Sequence, residues 1–526
     1  MKKIFFIIFY IFINFWANVF YVYGNNLHIT NVSLKDRFPD NGTVVVEFDI
    51  SWDNSWRTKI NHDGVWITVR LYDPTSSPIY KKLCKLATSG VNPEGTNVGD
   101  NSNIEIYVPK DRIGAFIRPA VYGKFHSMSS KGVRLTIDYK TAGFNKMDEV
   151  KVSVFGIEMV YVPEGSFYAG DYDVSVASLD QGSGDSDPWY ISSEDPIIVS
   201  NCVKDGYRYV SANNEGEDAT GASFRIPDTF PKGYASFYMM KYEINEGEWV
   251  EFVNSLPSEG ARAAHDLTDS MHKNTDSVKF RNTIKCSGVP LTCSTQRPAR
   301  ALTYLSWKDL AAFLDWAGLR PMTELEYEKA ARGPFLPVGG EFAWGTVNII
   351  PATTLSEGEE LGDETVVNPG ANANYNNISF SGGDAVRGEE YAKGALRGGI
   401  FATKDSNRES AGAGYYGAME LSGNVAERVV TIGNATGRKF KGTHGDGYLT
   451  TISGYEGNAT NEDWPGINEI VSYGVTGTAG SGIRGGSWKD GDSGVRLRIS
   501  DRMKAADSTD TIFNDVGGRG VRSCCE

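Results

Sequence analysis

Six cysteines and six histidines are the side chains of this 526-residue sequence best suited to bind a soft metal or act as nucleophiles, and their spacing limits what they can do. Cys286 and Cys293 bracket a short segment containing Gly288 and Pro290, which suits a small-loop disulfide in an oxidising compartment. Cys524 and Cys525 are adjacent, which excludes a Cys-x-x-Cys redox or metal motif, and no cysteine falls between Cys293 and Cys524. His28, His62, His126 and His444 are scattered. His265 and His272, seven apart, could share a helix face, yet a 2-His-1-carboxylate iron site needs a third ligand that the sequence does not place beside them. Solvated or loop-capping roles are expected for both. Ser422 and Ser487 have no neighbouring histidine to serve as base, so nucleophilic catalysis has no support. Asp492, Arg496, Arg498, Asp501 and Arg502 alternate in sign and are expected to form a solvated ion-pair network.

The elements that must position such groups fall into two textures. Lys2 and Lys3 precede an apolar run from Ile4 to Tyr23, the pattern of an export signal, with cleavage expected after Gly24; residues 1–24 are read as a signal peptide, with an uncleaved anchor as the alternative. Residues 25–155 carry short alternating runs at Thr43–Ile50, Val65–Leu71, Ile104–Val108, Val133–Tyr139 and Val150–Phe155, separated by turns such as Asp40-Asn41-Gly42 and His62-Asp63-Gly64. Period-2 alternation predicts an all-β, immunoglobulin-like sandwich. Residues 156–526 are richer in glycine and contain three helical patterns. One is capped by Asn245 with Glu248, one runs from Ser306 to Gly318, and one runs from Thr323 with Glu326 to Gly333. No comparable pattern follows Gly333. So long an irregular stretch is compatible with a compact domain only if bound metal or a dense hydrogen-bond network holds it.

Charge and composition remove whole classes. With 66 acidic against 52 basic side chains, a net charge of −14 and no Lys/Arg cluster, the chain lacks the cationic face that nucleic acid requires. At 40% apolar residues it can bury a core, which excludes general disorder.

From Met159 onward a series of motifs appears in order: Met159 to Phe167 (MVYVPEGSF), Phe237 to Ile244 (FYMMKYEI), Ser306-Trp307, Arg320 to Gly333 (RPMTELEYEKAARG), Ala343-Trp344-Gly345, Met419 to Arg428 (MELSGNVAER), Arg484 to Trp488 (RGGSW) and Val516 to Arg519 (VGGR). Together they resemble the formylglycine-generating enzyme family, also called the sulfatase-modifying factor domain, over about Ile157 to Arg522. The resemblance implies an α+β domain of C-type lectin type, here preceded by an all-β sandwich, as in exported bacterial proteins of the family.

The same resemblance implies which residues to test. The family's oxidase holds Cu(I) with two cysteines just after the Gly-Gly-Ser-aromatic motif; those positions fall on Asp490 and on Gly494 or Val495, which supply no thiolate for a soft ion. A family calcium site maps to the Glu420 and Glu427 side chains with the Gly423 and Val425 carbonyls, a hard-oxygen set suited to Ca2+. A second maps to Asn374 and Glu390 by side chain and to Tyr375 and Ala392 by carbonyl. The expectation is an exported cell-envelope or extracellular protein in which the domain recognises a protein or glycan, with structural Ca2+, without copper and with no catalytic residue assigned. The other readings are an oxidoreductase of the family, of formylglycine-generating or nonheme-iron type, and a self-assembling surface subunit.

Overall fold

The computed structural model describes residues 26–181, 187–200, 206–209, 223–358, 364–384, 386, 392–491 and 493–524. The expected signal segment 1–24 therefore lies outside the described residues, as do Cys202, Glu390, Asp492 and Cys525. Among those described, no helix is long and apolar enough to cross a membrane.

The chain is a mixed, strand-rich molecule with few helices and a sheet-rich N-terminal region. Strands β1 (His28–Phe38), β2 (Thr43–Arg57), β3 (Asp63–Tyr72), β4 (Lys82–Leu86), β5 (Gly90–Val91), β6 (Ile104–Val108), β7 (Ala115–Pro119), β8 (Gly123–Asp138) and β9 (Lys151–Val162) appear in order. The ladder β1-β2-β8-β4 continues through β3 and β9, while β7, β6 and β5 extend from β3. Alternation decides the facing: Val46, Phe48, Ile50 and Trp52 of β2 pack with Val65, Ile67, Val69 and Leu71 of β3 in one buried cluster.

Strand β3 is buried on both faces. Its other side meets the second region, where Trp66 Nε1 donates to the Ala317 carbonyl at 2.9 Å and the Arg70 guanidinium lies 3.8 Å from the Trp316 ring. The predicted turn at His62-Asp63-Gly64 is instead the start of this strand. Tertiary hydrogen bonds override its turn propensity: the buried Asp63 carboxylate accepts from Trp52 Nε1, Ser55 Oγ and the Trp56 amide.

Residue 155, where the sequence pattern changes, lies inside β9. This strand pairs with β3 along one edge and, through Met159 to Val162, with strand Phe237–Met240 on the other. Strand Gly520–Ser523 then pairs with Phe237–Met240, and Arg320–Pro321 closes the sheet. One sheet thus runs through both textures of the sequence.

Helices α1 (Glu246–Asn254), α2 (Glu259–Ala263), α3 (Trp307–Ala317) and α4 (Glu324–Arg332) follow. Capping boxes at Asn245/Glu248, Ser306/Asp309 and Thr323/Glu326 start three of them, and Gly318, at φ +70°, stops α3. Only the short α2 lacked a sequence signal. After Arg332 the longest strand among the described residues is Ala426–Val430, which lies between Ser481–Arg484 and Val516–Gly517.

Helix α4 explains how that segment is held. Although its sequence is Glu-Leu-Glu-Tyr-Glu-Lys-Ala-Ala-Arg, every residue in it is buried. Glu324 accepts from Arg484 and Arg502, Glu328 from Arg484 and Arg332, and Glu326 from Arg320, while Arg332 also pairs with Glu341 at 2.5 Å. Burial alone would raise the Glu324 carboxyl, but Arg502 and Arg484 hold it below its ordinary value. Of the two devices the sequence required, metal or a hydrogen-bond network, the network is present.

Candidate functional site

The loop from Met419 to Val425 is coiled by three consecutive demands on backbone geometry. Glu420 sits at φ +53°, Gly423 at +94° and Asn424 at +61°. At Gly423 a Cβ would lie 2.8 Å from the Asn374 carbonyl oxygen, so only glycine allows the loop to close on its neighbour. Asn424 then ties four segments together. Its amide nitrogen donates to Glu243 Oε2 at 2.7 Å and its side-chain oxygen accepts from the Leu396 amide and from Asn374 Nδ2, while its backbone N–H donates to the Asn374 carbonyl.

Three buried carboxylates meet here. Glu427 is held by Arg519 in a two-point pair at 2.7 and 2.6 Å. Glu243 accepts from Asn424 and from the Val425 amide at 3.1 Å. Glu420 Oε1 accepts from the Gly399 amide at 2.8 Å, whereas its Oε2 is buried without a hydrogen-bond partner. Burial pushes the Glu420 carboxyl up to about 7, opposed only in part by Arg519, Gly399 and Arg397, and assisted by Glu427. Glu243 is raised well above its ordinary value by burial and by Glu420, and Glu427 is raised by burial against the pull of Arg519. The orphaned Glu420 oxygen suits a hard cation, whereas both Glu427 oxygens are already held by Arg519. Among the described residues no three His, Cys, Asp or Glu side chains converge as a metal site by themselves. A cation here would need backbone donors, the part assigned to the Gly423 and Val425 carbonyls.

Of the second predicted set, Asn374, Tyr375 and Ala392 are buried. Asn374 turns its amide nitrogen to the Gly394 carbonyl and to Asn424, so the two predicted loops share one hydrogen-bonded junction. Glu243 and Asn424 were absent from the predicted sites. Both lay within the motifs, but their pairing spans 181 residues and has no local signature.

The copper positions present oxygen, not sulfur. Asp490 Oδ2 accepts from the Ser487 amide at 2.8 Å and from Ser487 Oγ at 3.2 Å, and Ser487 Oγ also reaches Asp515 Oδ2 at 2.8 Å. Gly494 is left-handed at φ +57° and Val495 begins a single 3-10 turn. Beside them a cavity of about 20 Å³ is lined by Asp490, Asp501, Asp515, Arg484, Arg496 and Lys504. A soft d10 ion gains little from such donors, so these residues do not fit Cu(I). The neighbouring charge run departs in part from the solvated network expected: Arg502 is fully buried against Glu324, while among the described residues Arg496, paired with Asp501 at 3.3 Å, and Arg498, bonded to the Val174 carbonyl, stay partly exposed. Arg502 is drawn inward because α4 offers it a buried carboxylate.

The histidine pair is likewise not solvated. His265 Nδ1 lies 2.8 Å from one oxygen of Asp309 and His272 Nε2 lies 3.0 Å from the other, while Asp269 takes His272 Nδ1 at 2.7 Å. These are hydrogen-bond lengths around the N3 residue of α3, so both rings buttress a helix cap. Burial would lower His272, but Asp309 and Asp269 raise it to about 9. The predicted Cys286–Cys293 disulfide is present and joins strands Lys285–Ser287 and Thr292–Ser294.

A family model described as the sulfatase-modifying factor enzyme 1-like domain matches residues 202–524, more than half of the chain, and the chain belongs to that family. Over 51 residues the chain is 45% identical to the formylglycine-generating enzyme of Streptomyces coelicolor. That stretch covers 10% of this chain and 16% of that enzyme, so it extends over about a sixth of the relative's length.

Proposed function

We propose that this is an exported cell-envelope or extracellular protein whose sulfatase-modifying-factor domain, of C-type lectin type, recognises a protein or glycan rather than oxidising cysteine. The observation that carries the reading is the Ser487–Asp490–Asp515 cluster. Where the family oxidase needs two thiolates, this chain places a carboxylate already committed to a serine, and a glycine or valine. The scaffold around the position is retained, including the buried pairs that hold the Gly-Gly-Ser loop against α4.

Two further features support the reading. The basic and apolar start of the sequence suits export, and the Cys286–Cys293 bridge suits an oxidising compartment. Ca2+ at Glu420 and Glu427, with the Gly423 and Val425 carbonyls, would give the orphaned Glu420 oxygen a partner, with Glu427 exchanging one of its Arg519 contacts for the ion. The second set, Asn374, Tyr375, Glu390 and Ala392, is proposed as a further calcium position.

Metal analysis and oxygen consumption test this directly. The full chain, given Cu(I) and a cysteine-containing sulfatase peptide, is expected to retain no stoichiometric copper and to leave the thiol unoxidised. Stoichiometric copper retention together with oxygen-dependent loss of the thiol would sink the reading.

A further inference from the structure

A large cavity lies away from the Asp490 region, at the seam between the N-terminal sheet and the second region. It measures about 780 Å³, within the roughly 300–1,000 Å³ range of small-molecule sites. Its walls come from the loop joining β3 to β4, from β9, from α1 and from the disulfide-closed hairpin. One side chain fixes three of these to one another. The buried Arg262 guanidinium donates to the carbonyls of Ile79 in the loop, Leu291 in the hairpin, and Asn254 and Leu256 at the end of α1. Such cross-bracing preorganises the cleft, which reduces the ordering cost of binding.

The chemistry of the walls narrows the occupant. Lys81 and Glu251 pair at 2.6 Å inside the cleft, so neither charge is left to select an ion of opposite sign. The outward edge of the hairpin strand Thr292–Ser294 is already used: Asn254 accepts from the Cys293 amide at 2.8 Å and donates to its carbonyl at 2.9 Å. An extended peptide therefore finds no open strand edge at Cys293 to add to. Ser153 and Thr292 donate their hydroxyls to Glu251 and to the Pro290 carbonyl, but a wholly apolar ligand would strip water from the ion pair and from the hydroxyls of Ser77 and Ser294. A neutral ligand that interleaves hydroxyl groups with C–H faces matches all of this.

We infer that this cleft, braced by Arg262 and lined by the Lys81–Glu251 pair, binds a neutral oligosaccharide. The inference rests on the recognition reading and gives it a location. The two fail separately, because copper and thiol assays report on the Asp490 region and sugar binding reports on the cleft.

The test is saturation-transfer NMR on the full chain with four neutral trisaccharides: maltotriose, cellotriose, mannotriose and triacetylchitotriose. A Ser-Pro-Thr-Pro peptide is run in parallel. At least one sugar is expected to bind. Ser294→Trp, at an exposed strand position on the rim, should block the cleft and weaken that binding about tenfold or more, and Tyr72→Ala should weaken it less. Both variants should melt as the parent does. Absence of transfer to all four sugars, sugar binding that Ser294→Trp leaves unchanged, or binding of the peptide alone would each overturn the inference.

Discussion

Between residues 28 and 138 the backbone satisfies its own hydrogen bonds in long ladders, whereas after Gly333 the chain depends on side chains to do so. Strands β2 and β8 stay in register from Thr43/Asp138 to Arg57/Gly123 with one irregularity near Phe48, and apolar side chains fill the space beneath them. In the later segment, short strands are tied to α4 and to one another by buried arginines: Arg484, Arg502, Arg519 and, to the Leu305 carbonyl, Arg428. The difference teaches that regular structure and order are separable. A segment poor in repeating elements is held in one arrangement when buried arginines tie its short strands to carboxylates and carbonyls.

The strongest way to break the comparison is to remove a shared carboxylate. Glu324→Ala leaves Arg502 without its carboxylate and Arg484 with Glu328 alone, and is expected to destabilise the fold by about 3–5 kcal/mol, the cost of leaving buried charge unpaired. Thermal and denaturant melts would read this, and a loss no larger than that of a surface substitution would refute the role of the network. Leu135→Ala, in the apolar core beneath β8, should cost about 2–5 kcal/mol through the cavity it leaves. Because β9 joins both regions, the melt should remain a single transition. Two separated transitions would show instead that the regions unfold independently.

A finer probe is pH. In the folded chain without a cation the Glu420 carboxyl stands near 7, above its ordinary 4.5, so the folded state holds the proton more tightly than the unfolded one. Its contribution is fully present below about pH 4.5 and is lost as pH rises through about 7, a swing on the order of 3 kcal/mol. Added Ca2+ should restore melting temperature above pH 7, and Glu420→Gln should flatten the slope and abolish the calcium response. A melt at about pH 8 that calcium leaves unmoved would count against the proposed cation site.

Much of this was legible locally. Alternation announced β2, β3, β6, β8 and β9 but not β1, β4, β5 or β7, and the capping residues Asn245, Ser306 and Thr323 announced the starts of α1, α3 and α4. What escaped was long-range. Asp63 reads as a turn residue until Trp52 and Ser55 are seen to bind it. Nothing within α4 reveals that Arg484 and Arg502, more than 150 residues later, will pair with Glu324 and Glu328. At the candidate site the motif Gly423-Asn424 was visible, but the partner of Asn424 is Glu243, in another motif. Periodicity reports which face of an element is apolar. It is silent when the buried face is charged.

The pairing of Phe237–Met240 with Gly520–Ser523 also sets an order of events during synthesis. The strand of residues 237–240 emerges early and can pair with β9, but its other edge waits for nearly three hundred more residues to be made. Contacts of such separation form slowly, and an open strand edge invites wrong partners meanwhile. Nascent chains halted before Gly520 should accordingly be the aggregation-prone species, and release of the last strand should be the step that commits the molecule to its final topology.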